Sequence, residues 1–86
     1  MPTLPQINLN GSSASRLLDA YCAAGRAVMA AMNALTEAEP NMRDYQTVAP
    51  AVYTAARDEH VARLKALRAV YVDMQALAEH CAESTS

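Results

Sequence analysis

The stretch LDAYCAAGRAVMAAMNAL, residues 18–35, decides the fold. Leu18, Tyr21, Gly25, Val28, Met32 and Leu35 recur three or four positions apart, the spacing that keeps one side of an α-helix turned toward a partner helix. A second stripe starts at His60 and continues through Leu64, Leu67, Tyr71, Met74, Ala78 and Cys81. Two long amphipathic helices joined by one linker make an antiparallel hairpin, so the expected class is all-α.

The boundaries follow from capping and breaking residues. Residues 1–12 read as an extended lead-in and N-cap, with Pro2, Pro5 and the alternating Ile7 and Leu9, and with Asn10 to Ser13 supplying cap chemistry. Ile7 and Leu9 are expected to contact Leu77 or Cys81. Helix 1 is expected over 13–39, dense in alanine and ended by Pro40, which has no N–H and disfavours helical geometry at the residue before it. A connector spans 40–47. Thr47 then caps a helix over 48–82 with Pro50 in its first turn, where proline is tolerated, and 83–86 form a frayed tail. If residue 35 lies level with about residue 55, the last two turns of helix 2 are left for the lead-in to cover. Cys22 then lies near Arg68, and Cys81 sits ~20 Å further along at the helical rise. Both cysteines are therefore expected as free thiols.

A chain of 86 residues has little core, and a lone hairpin cannot cover both faces of each helix. Beside the main stripe of helix 1 runs a strip of small side chains, Ala20, Ala24, Ala27, Ala31 and Ala34, which suits either close packing on helix 2 or a seam between subunits. Gly25 is read in the same way, as a point of close approach. Helix 2 shows a second line, Leu67, Val70, Met74, Leu77 and Cys81, and its apolar arc is wider than one helix covers. These surfaces predict a homo-oligomer that completes a helical bundle.

A net charge of −2, from seven basic and nine acidic residues, argues against broad nucleic-acid binding. No run approaches the roughly 18–20 apolar residues of a membrane span. The N-terminus lacks the pattern of a secretion signal, so a cytoplasmic location is expected. Glu59-His60 lacks the second histidine of a zinc site, and no serine, threonine or cysteine is placed with a base and an orienting acid. No catalytic residue, metal site or cofactor is therefore assigned.

Two places carry binding chemistry. Arg26 is the only charge between Asp19 and Glu37 and borders the alanine-rich surface, where a guanidinium can hold a phosphate or carboxylate bidentately or simply lie along the surface. Arg43, Asp44 and Tyr45 in the connector, followed by Tyr53, Arg57 and His60 on helix 2, form the second group. It reads either as a pocket for an anionic partner or as an end cap, in which Asp44 caps a turn, Arg43 pairs with Glu37 or Glu39, Tyr45 closes the bundle and His60 sits at the core edge. Arg16 with Asp19, and Glu59 with Arg63, read as ordinary helical ion pairs, and His80 favours the helix C-terminus as a cation.

The run Ile7-Asn8-Leu9-Asn10-Gly11-Ser12-Ser13, the pair Leu17-Leu18, the junction Pro40-Asn41-Met42-Arg43-Asp44-Tyr45 and the segment Glu59-His60-Val61-Ala62-Arg63 resemble a group of small bacteriophage and prophage proteins to which no activity is assigned. Met42 stands where that group carries glycine, which argues against a turn needing positive φ there. The resemblance implies an accessory protein working inside the host cell by binding a host component. A sequestering protein for an anionic nucleotide-type molecule is the alternative, and a virion assembly role the third.

Overall fold

A computed structural model describes residues 2–6 and 11–85, the side chains of 11, 12 and 85 excepted. The described residues form two helices and no strand. Helix α1 runs Gly11–Glu37 and helix α2 runs Pro50–Thr85, with a short 3-10 turn at Met42–Tyr45 between them. The helices pack along each other in a body 62 Å long and only 20 by 13 Å across. Among the described residues no helix is long and apolar enough to cross a membrane.

The element ends differ from expectation by two or three residues. Helix α1 stops at Glu37 because Ala38 N–H and Glu39 N–H bond back to the carbonyls of Leu35 and Thr36, at 3.0 and 3.2 Å, tightening the last turn before Pro40. Helix α2 begins at Pro50 itself, so Thr47 lies outside it and Ala49 holds the cap position, its carbonyl accepting from Val52 N–H at 2.9 Å. The tail expected over 83–86 is helical as far as Thr85, and Ser84 Oγ donates to the His80 carbonyl at 3.1 Å.

The register is also displaced. Gly25 lies against Tyr71 and Met74, which sets Cys22 level with about residue 75 and not with Arg68. By the same count Glu37 lies level with about residue 60. The unmatched turns of α2 are therefore its first ones, not its last. The reason is the link: both helix ends draw back, and the segment between them folds onto the start of α2 instead of reversing tightly. Tyr45 and Tyr53 pack there with ring centroids 5.8 Å apart and planes tilted by 59°.

Apart from Gly25 in the middle of the seam, the buried residues among those described lie toward the two ends of the hairpin. Ala14 and Cys81 are fully buried and Leu77 nearly so, all at the end where α1 begins and α2 finishes. A third segment crosses there: the Pro5 carbonyl accepts a hydrogen bond from His80 Nε2 at 2.9 Å, which requires the tautomer or cation carrying a proton on Nε2. The lead-in thus docks on the last turns of α2, while the expected contacts of Ile7 and Leu9 lie outside the described residues. At the opposite end His60 is only 4% exposed. Between these ends Leu18, Tyr21, Val28, Met32 and Leu35 of α1 face Leu64, Leu67, Tyr71 and Met74 of α2 and stay half-buried, as one partner helix dictates. Val70 is not part of this seam and is 44% exposed. Ala20, Ala27, Ala31 and Ala34 are exposed as well, so the alanine strip flanks the hairpin contact and does not make it.

Both cysteines are free, and among the described residues no three histidine, cysteine, aspartate or glutamate side chains converge. Neither Arg16–Asp19 nor Glu59–Arg63 closes into an ion pair; the pair that forms among the described residues is Arg57–Asp58, at 3.8 Å and largely exposed.

Candidate binding cleft

On one flank the seam of the hairpin opens into a cleft of about 370 Å³. Helix α1 contributes Tyr21, Cys22, Gly25, Arg26 and Met29 to it, and α2 contributes Tyr71, Met74, Gln75 and Ala78. The spacing explains the composition. Positions 22, 26 and 29 form the row next to the seam residues 21, 25 and 28, and on the antiparallel partner Gln75 flanks the seam residues Tyr71, Met74 and Ala78.

The cleft is mostly apolar, with two tyrosines and two methionines in its lining and one charge, Arg26. Gln75 Nε2 donates to the Tyr71 hydroxyl at 3.4 Å, which leaves the hydroxyl proton of Tyr71 free to donate elsewhere. No aspartate or glutamate lines it. Such a surface can hold a flat apolar body by contact and an anionic group by charge-assisted hydrogen bonding.

Gly25 at the floor is not forced by crowding. A Cβ there would meet Met74 Cβ at 3.7 Å and a Tyr71 ring carbon at 3.9 Å, both ordinary van der Waals distances. The helices therefore do not approach at Gly25 as closely as its identity suggested.

The second group of candidate residues is spread out. Asn41, not Asp44, caps the 3-10 turn: its Oδ1 accepts from Arg43 N–H and its carbonyl from Asp44 N–H, each at 2.9 Å. The side chains of Arg43 and Asp44 are exposed, and Arg43 forms no ion pair with Glu37 or Glu39. Tyr45 and Tyr53 are occupied with each other, Arg57 with Asp58, and His60 is buried. The turn forms without a left-handed residue at Met42, and no described residue has positive φ.

Of the binding candidates read from sequence, Arg26 is the one the cleft contains. Tyr21, Gly25, Tyr71 and Met74, read as packing residues, join it. Ala78 joins it from the α2 stripe as well, while Cys22, Met29 and Gln75 carry no binding signal of their own, although their position one row off each stripe marks them as the flank where two antiparallel helices diverge. Compared with protein-family profiles, with curated proteins and with solved structures, the chain matches none.

Proposed function

We propose that this chain acts by binding and not by catalysis, as a homo-oligomeric helical hairpin, and that it serves a bacteriophage or prophage as an accessory factor engaging a host component. The observation that carries self-association is surface. The molecule exposes 6322 Å². A compact monomer of 9.2 kDa exposes roughly 4,900 Å². The surplus of ~1,400 Å² exceeds the roughly 800 Å² that one partner contributes to a standard stable interface. The radius of gyration, 18.5 Å, stands against about 12 Å for a compact chain of this length. Apolar side chains contribute to it: Val52, Val61, Val70 and Val72 on α2 and Met29 on α1 are all exposed.

The accessory role is supported by the resemblance of the sequence segments to phage and prophage proteins and by the exposed connector, where Met42 and Arg43 offer apolar and cationic contacts. Sedimentation at micromolar concentration tests the assembly, with a dimer or larger symmetric species expected. A well-folded monomer over the whole range would count decisively against it. For the host partner, affinity capture should retain one protein, and the pair Met42→Ser and Arg43→Ser should abolish that capture while leaving the helical spectrum unchanged.

A further inference from the structure

We propose that the cleft around Arg26 is a binding site for a small planar aromatic compound carrying an oxyanion. This goes beyond the self-associating reading and does not depend on it.

Three observations converge on one occupant. The first is charge: Arg26 is the single charged group lining the cleft and forms no ion pair among the described residues. Its fork of donors is therefore available to a phosphate or carboxylate. The second is wall chemistry. Tyr21 and Tyr71 come from different helices and, with Met29 and Met74, bring aromatic rings and polarisable sulfur to the wall, chemistry that suits a flat aromatic body. The third is placement: both helices line this cleft of about 370 Å³, whereas two other grooves of similar volume lie along α2 alone. The connector group lacks this convergence because its tyrosines pack on each other and the groove beside Arg57 is lined by Asp58 and Lys65 with no aromatic ring.

Titration calorimetry on the full chain tests the site with four probes: adenosine monophosphate, adenosine, inorganic phosphate and 2-naphthoate. At least one aromatic anion should bind, with adenosine and phosphate at least tenfold weaker, because each lacks half of what the cleft recognises. Binding by adenosine monophosphate alone would assign a phosphate ester, and by 2-naphthoate alone a carboxylate. Arg26→Gln should weaken binding at least tenfold while keeping the helix, since glutamine is a good helix former; Arg43→Gln should leave it unchanged. Absence of binding by both aromatic anions at millimolar concentration, or equal binding by Arg26→Gln, overturns the proposal. Sedimentation of the same samples separates the ligand site from self-association. If Met29→Glu dissolves an oligomer, a second copy occupies the cleft and the ligand site falls while self-association stands. A monomer that binds the aromatic anion in an Arg26-dependent manner keeps the ligand site and removes self-association.

Discussion

At Gly25 the seam has room for a methyl group, and this decides the sign of a substitution. Glycine inside a helix costs about 1 kcal/mol relative to alanine through backbone entropy. The added Cβ meets Met74 and Tyr71 at 3.7 and 3.9 Å, so nothing has to shift. Gly25→Ala is therefore expected to stabilise the chain by up to about 1 kcal/mol, or roughly 4–8 °C in Tm, in thermal unfolding followed by circular dichroism. A lowered Tm would show that the helices approach more closely than these distances allow. The identity of Gly25 could not reveal this from sequence, because glycine at a helix seam reads equally as a close contact and as an unfilled gap. Arg26 was more legible. Position 26 falls one row off the buried stripe, which is where the cleft opens.

The elements were legible as helices and less so in their pairing. Stripes sustained over residues 18–35 and 60–81 fix type and orientation, since no strand keeps a three-four spacing. They do not fix register. A heptad-like stripe slid by seven residues, about 10 Å, presents the same apolar face to its partner. That is the displacement found, with Cys22 level with about residue 75 instead of 68. The connector joins the helices in this register, and its turn is held by a side chain–backbone bond. Asn41 and Asp44 are both competent caps, and only the fold shows that Asn41 takes the role. Asn41→Ala removes the bond to Arg43 N–H and is expected to cost about 1 kcal/mol in urea unfolding, whereas Asp44→Ala, whose side chain is exposed, should cost less than half of that. Equal losses at the two positions would contradict the assigned cap.

At the scale of the whole molecule, the larger side chains of the seam between the two ends stay half-buried, a surface that further copies would enclose under the proposed assembly. Residues such as Val28, Met32 and Leu67 are in contact with one helix and not yet enclosed. If copies enclose them, the folded state is stabilised by mass action, and Tm should rise with protein concentration across the micromolar range. A concentration-independent Tm, with sedimentation at monomer mass, would rule such enclosure out. The expectation of additional copies rests on chain length and stripe width. Which flank stays open was not legible, because it depends on how two antiparallel rows diverge.

The contact between the Pro5 carbonyl and His80 joins residues 75 apart in sequence. Contacts of such separation are costly to form until intervening segments are already ordered. The helices can zip outward from the connector through contacts of steadily growing separation, and the lead-in then docks on a finished surface. Its bond therefore belongs after the rate-limiting step. His80→Ala, which removes about 1 kcal/mol of hydrogen bonding, should accelerate unfolding about fivefold in stopped-flow experiments and leave the folding rate nearly unchanged. The lead-in in this sense acts as a latch: it has little influence on how fast the hairpin is made and sets how long the end holding Cys81 stays shut.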